Sequence, residues 1–236
     1  MSKNRVEALS DGVFAIVITL LILDIRVPDV EYNQLLSSLV ALLPRILAYV
    51  ISFGVIGVYW LARHQSLQLI GRLNGFLIWL NFLYLLAVSF MPFPTALLGR
   101  YPMQPIPIVI YGLNLIVANA TGLALTLYLR AHPELGSGLA HRASHKSLYI
   151  YGFVNLSYVL AMLLGFVAPA ISYGIFVVVL MVVIVYTVSV QLRGIRKEDT
   201  ATAGLEKQLL TLAPLERLAT ERVRLDISCP GSIQSE

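Results

Sequence analysis

The segment Arg5–Asp24 (RVEALSDGVFAIVITLLILD) is apolar enough to enter a bilayer, yet it carries Ser10 and Asp11 in its first third. A carboxylate at bilayer depth is expensive, so it needs a partner or a task. On a helix at about 100° per residue, Leu9, Gly12, Ile16, Thr19, Leu20 and Leu23 share one face, and Asp11, Phe14, Ile18 and Ile22 share the opposite one. One side is a bulky aliphatic stripe interrupted by a single hydroxyl; the other carries the acid. This division predicts a helix with one face turned to something shared, such as a pore axis, and the other locked into the chain's own helices.

The rest of the chain agrees with a membrane reading. Of 236 residues, 58% are hydrophobic and 13% charged, where a soluble domain carries about 25% charged residues. No acidic residue occurs between Glu31 and Glu134. Long apolar stretches of this kind make the protein an all-α integral membrane protein. The net charge of +4 is no nucleic-acid signal, because the basic residues sit at the ends of apolar runs. The single cysteine, Cys229, rules out an internal disulfide. The first apolar run follows Lys3 and Arg5 but lacks a small-residue cleavage site, so it reads as a span and not a cleaved leader.

Six spans are expected. The first runs from about Asn4 to Arg26 and is stopped by Pro28; at about 1.5 Å per residue it reaches across a bilayer. Leu35–Leu43 is apolar but short, and either lies at the interface or extends the next helix. The second span opens at Pro44 and runs to about Ala62, followed by Arg63-His64-Gln65. The third covers about Gly75 to Leu98, with a kink or an early end expected at Pro92, which lacks a backbone donor. The fourth, about Pro105 to Leu129, carries no charge and has Asn114, Asn119 and Thr121 as its polar residues. Leu148–Leu192 is too long for one span, so a fifth helix to Ala168 and a sixth from Gly174 are expected, with Pro169 and Gly174 bracketing a turn. Residues 198–236 read as an amphipathic or disordered cytoplasmic tail. An even number of spans places both termini on one side. Lys3, Arg5, Arg63, Arg72, Arg130, Arg142, Lys146, Arg193, Arg196 and Lys197 fall on that side against Arg26, Arg45 and Arg100 on the other, which makes it the cytoplasmic side.

Three groups of residues are candidates for function. Asp11 and Ser10 lie at a depth that allows contact with Arg5, Trp60 or His64. Such a cluster either docks the first helix or, with a histidine near a carboxylate, forms a proton-sensitive gate. The stripe Ile16, Leu20, Leu23 is either ordinary core packing or, in a symmetric oligomer, a constriction that gates by dewetting, with Thr19 as its one hydroxyl. His132, His141 and His145 share a polar loop with only Glu134 as an acidic neighbour, which reads as solvated loop histidines and not a zinc site. No phosphate-binding loop, no hydrolase or zinc-protease motif and no carbonyl-filter sequence is present. No cofactor is implied, and no nucleophile–base pair suggests an intramembrane enzyme.

Arg5…Leu9-Ser10-Asp11-Gly12-Val13-Phe14-Ala15-Ile16…Thr19-Leu20 resembles the first-helix signature R-x-x-x-F-S-D-G-x-F-A-I of the transmembrane protein 175 family, which comprises endolysosomal potassium channels and their bacterial homologues. Tyr59-Trp60…His64 and Trp79-Leu-Asn…Ser89-Phe-Met-Pro-Phe-Pro-Thr also look like family sequence. The resemblance covers Arg5 to about Arg100; beyond that it rests on span count. Leu9 departs from it, standing where the family usually has phenylalanine. The resemblance implies a single six-helix repeat per subunit over residues 1–197, a homotetramer in the plasma membrane, and first helices lining a central pore for potassium ions. It implies that Ile16, Leu20 and Leu23 are the hydrophobic pore residues, with Ile16 the narrowest ring, and that Thr19 bears on cation preference. It assigns Arg5, Ser10, Asp11, Trp60 and His64 to a polar network behind the pore helix. The competing function is a proton-coupled secondary transporter that uses Asp11 and His64. Against it, the sequence has no internal inverted repeat and no second intramembrane carboxylate.

Overall fold

The computed structural model describes residues 2–136 and 145–189, with only the backbone of residues 145–147. The expected tail from residue 198, and His141, lie outside the described residues. Apart from one bridge between Ile70 and Gly136, the regular structure among the described residues is helical. The elements are α1 (Lys3–Leu20), α2 (Tyr32–Ala41), α3 (Leu43–Gln68), α4 (Gly75–Phe90), α5 (Pro92–Arg100), α6 (Pro105–Ala131) and α7 (His145–Leu164), followed by α8 (Pro169–Ser189).

Prolines set several of the boundaries. α1 tightens into a 3-10 turn at Leu21–Asp24, two residues short of the expected Arg26. Pro92 cannot donate to Val88, so α4 closes with the shorter bond from Met91 N to the Val88 carbonyl (3.1 Å). α5 restarts at once, and Gly75–Arg100 remains a single apolar rod with one break. The Thr95 hydroxyl then caps the Met91 carbonyl (2.8 Å). Asn74 caps α4 by accepting from Leu77 N (3.0 Å). At the last turn the expectation was off by five residues. α8 opens at Pro169, not at Gly174, because a proline's fixed φ and missing donor suit the first helical position. Ser172, in the first turn of α8, ties back to the Ala161 carbonyl of α7 (2.7 Å).

Among the described residues, five helical stretches are long and apolar enough to cross a membrane: Lys3–Asp24, Leu43–Gln68, Gly75–Arg100, Pro105–Ala131 and Pro169–Ser189. The apolar part of α7, Leu148–Leu164, is shorter. This is a multi-pass membrane protein. Leu35–Leu43 is no smooth extension of the next helix: α2 stands as a separate short helix with no buried residue, joined to α3 through Leu42.

α6 packs against α4, α5 and α7, while α3 packs on α5, and α1 docks on α3 and α4. Two apolar cores result. The larger includes Phe14, Val17, Leu21, Ile56, Tyr84, Met91, Ile108, Tyr111 and Leu115. The smaller gathers Val6, Leu67, Ile70, Leu77, Leu80, Leu125 and Leu129 around the start of α1. There Lys3 Nζ donates to the Ile70 carbonyl (3.1 Å), and the loops after α3 and α6 join through Gly71 N to the Leu135 carbonyl (2.8 Å).

Candidate pore helix and its polar anchors

α1 has a docked face and an open face. Val6, Ser10, Phe14, Val17 and Leu21 are buried against the neighbouring helices. On the open side, Ile16 is 60% exposed, Leu23 65%, Leu20 43% and Leu9 39%, so among the described residues these large aliphatic groups stay largely open. Thr19 is on the same side, its hydroxyl donating to the Ile16 carbonyl (2.7 Å). A methyl group placed on Gly12 would meet no atom within 4 Å.

The docked arc is rotated from the expected one. Phe14 is at its centre, but Asp11 and Ile22 are exposed and Ile18 is half-buried. The rotation has a physical cause. Burying the Ser10 hydroxyl, which can satisfy itself on its own helix, costs less than burying the Asp11 carboxylate. Ser10 Oγ donates to the Val6 carbonyl at 2.8 Å and approaches Asn81 Oδ1 at 3.4 Å.

The polar residues expected behind this helix fall into two separate groups. The first is exposed. Trp60 Nε1 donates to Asp11 Oδ1 (2.8 Å), and the Trp60 ring stacks on His64 at 6.2 Å between centroids. His64 Nδ1 faces Glu7 Oε1 at 3.1 Å, so the histidine's acidic partner is Glu7 and not Asp11. Arg5 is exposed and joins neither group. The second group is buried. Arg63, 5% exposed, donates from Nε to Asn81 Oδ1 (2.9 Å) and again from Nη2. Its guanidinium lies over the Tyr84 ring, 5.1 Å from the centroid. Tyr84 donates in turn to the Tyr59 carbonyl (2.7 Å), and its ring sits 6.1 Å from that of Phe14. Ser10 is thus the point where α1 meets the buried group, between the two apolar cores.

The sequence reading missed Glu7, Arg63 and Asn81 as site residues. Arg63 reads as a charge at a helix end, yet it is four residues from Tyr59 and four from Leu67, which fixes it on the docked face of α3. Asn81 carries the ordinary signal of a polar residue inside an apolar run. Farther along, Ser52 contacts both Tyr111 OH (3.1 Å) and Thr95 Oγ1 (2.8 Å), a buried trio bridging α3, α5 and α6. His132 stacks on Tyr128 at 4.3 Å, and the described residues hold no group of three metal-ligating side chains.

Comparison with known proteins bears on the same stretch. The family described as "Endosomal/lysosomal potassium channel TMEM175" matches residues 5–92, from α1 into the start of α5. The chain is similar to a potassium channel of Chryseobacterium sp. (strain P1-3), 33% identical over 183 residues that cover 77% of this chain and 92% of that one. It is 40% identical over 114 residues to the endosomal/lysosomal proton channel TMEM175 of Homo sapiens, covering 44% of this chain and 23% of that protein. Its structure resembles the crystal structure of a lysosomal potassium-selective channel TMEM175 homolog from Chamaesiphon Minutus, with a TM-score of 0.70 and 32% identity over 78% of this chain and 97% of that one. With the signature helix, the helical architecture and a bacterial relative matched along nearly its full length, this chain belongs to the TMEM175 family.

Proposed function

We propose that this protein is a potassium-permeable, potassium-selective cation channel of the plasma membrane, assembled from four copies with α1 of each lining a central pore. The observation that carries the reading is the division of α1 into a docked face and an open aliphatic face. A stripe that the described residues leave open suits a symmetric axis, and rings of aliphatic side chains there form a constriction that gates by dewetting. In this arrangement Ile16 is the narrowest ring, Leu20 and Leu23 continue the apolar wall, and Thr19 offers the hydroxyl that meets a partly dehydrated cation. α7 counts as a sixth span, which places both termini on the cytoplasmic side with the excess of Lys and Arg. Asp11, Trp60, Ser10 and His64 hold α1 in place from behind. The protein works as a conduit for ions and not as an enzyme. A proton-coupled carrier built on Asp11 and His64 is less favoured, because Asp11 bonds to Trp60 while His64 faces Glu7.

The test is reconstitution of the full chain in a planar bilayer under opposed potassium and sodium gradients. A current reversing toward the potassium equilibrium potential is expected. A current reversing at the sodium potential would refute potassium selectivity. Flux only when a second solute or proton gradient is supplied would replace the channel with a carrier.

A further inference from the structure

We propose that Arg63 is a fixed positive charge behind the pore helix, bonded to no carboxylate among the described residues, and that it brakes cation flow through the N-terminal half of the pore; the inference rests on the channel reading. A guanidinium keeps its proton in proteins, and Arg63 is 5% exposed, so solvent neither hydrates nor screens it well. A buried charge of this kind normally has an opposite charge beside it. Here the sequence limits the supply, with no Asp or Glu between Glu31 and Glu134 or between Glu134 and Glu198. The two acids of α1 nearest this level form no ion pair with Arg63: Glu7 faces His64 at 3.1 Å, and Asp11, which keeps its own charge, accepts from the neutral Trp60 indole at 2.8 Å on the exposed side of the helix. Among the described residues, the partners of Arg63 are the neutral Asn81 amide and the face of Tyr84. These satisfy its donors and leave its charge in place.

The position of this charge gives it a target. One amide oxygen, Asn81 Oδ1, separates Arg63 (2.9 Å) from Ser10 on α1 (3.4 Å). Ser10 precedes Ile16 by six residues, so the charge stands about 9 Å along the helix axis on the N-terminal side of the proposed constriction. Through protein, where the effective dielectric constant is about 20 against about 80 in water, its repulsion on a cation in the pore is attenuated less than that of a surface charge. It therefore lowers cation occupancy on that side and acts most on ions entering from the N-terminal face. The neighbouring Glu7–His64 pair is partly exposed, its side chains at 29% and 40%, so its own field is screened more than that of the buried arginine.

Single-channel recording of the reconstituted full chain in symmetrical potassium chloride tests this with three proteins. Arg63→Gln removes the charge and keeps a hydrogen-bond donor toward Asn81. Arg63→Lys keeps the charge. The glutamine variant is expected to raise unitary conductance by about twofold or more, chiefly for current entering from the N-terminal face, while the lysine variant stays near wild type. The ratio should persist when salt is raised tenfold, since a surface charge would be screened and a buried one is not. Wild-type conductance in an assembled Arg63→Gln channel overturns the proposal. So does an equal change in both variants, which would mean that Arg63 acts through geometry alone. If Arg63→Gln fails to assemble, Asn81→Asp supplies the missing counter-charge without removing the arginine; it is expected to raise conductance in the same direction, and unchanged current overturns the proposal. A silent wild-type protein refutes the channel reading itself, a result distinct from any of these.

Discussion

At the scale of single residues, α1 separates two kinds of polar economy. Ser10 is buried because its hydroxyl can bond to the Val6 carbonyl one turn back, whereas Asp11, one residue on, stays at the surface of the subunit and takes the Trp60 indole as its partner. A hundred-degree turn of the helix decides which of two adjacent polar groups is desolvated, and the cheaper one is chosen. The open face makes a residue-level prediction. If Ile16 forms the dewetting ring, Ile16→Asn places an amide where water needs a foothold, and unitary potassium conductance should rise severalfold. Recordings from the assembled variant check this, and unchanged currents would take Ile16 out of the pore. Ile16 is 60% exposed, so the substitution is expected to leave subunit folding intact.

Elements are held together by close approaches that the residue list alone does not reveal. Where α5 crosses α3, Gly99 lies so near Arg45 that an added methyl would come within 2.8 Å of the Arg45 Cα, which is backbone and cannot swing away. Gly112 on α6 also has a near neighbour, but it is the side chain of Met162, which is flexible. Gly99→Ala should therefore destabilise the bundle by about 1–3 kcal/mol and Gly112→Ala by less. Thermal unfolding of the two variants in the same detergent checks the order; a more stable Gly99→Ala would show that the α3–α5 crossing has room to relax. The break between α4 and α5 belongs to this scale too. Pro92 makes a discontinuity certain, because it leaves the Val88 carbonyl without its usual donor; Met91 N takes that carbonyl instead, and the helix resumes with Thr95 N and Thr95 Oγ1 both donating to the Met91 carbonyl.

The whole molecule exposes more apolar surface than one subunit needs. Besides the α1 stripe, α2 buries no residue at all. Lipid covers much of such a surface, yet a pore requires that the α1 stripe meet its own copies. The purified protein should therefore run as four copies of the 26.0 kDa chain in native mass measurements. Leu23→Cys in a Cys229→Ser background should form intersubunit disulfides on mild oxidation, because Leu23 is 65% exposed at the C-terminal end of the stripe. A monomer with no cross-linking would leave the stripe facing lipid and remove the basis for a pore.

Membrane class, the positions of most helix ends and the two-faced character of α1 follow from local chemistry. Apolar run length, proline placement and a 3.6-residue period are properties of neighbouring residues, and they hold whatever the chain does elsewhere. The signature around Ser10 and Asp11 likewise pointed to the right family from a single helix. Which polar groups meet is a different matter. His64 turned to Glu7 instead of Asp11, Arg63 left the helix end for the interior, and Asn81 became the hub between α1, α3 and α4. Those pairings depend on the rotation and depth of helices that are far apart in the chain. A shift of one residue in any of them would exchange the partners, so only the packed tertiary structure could decide them.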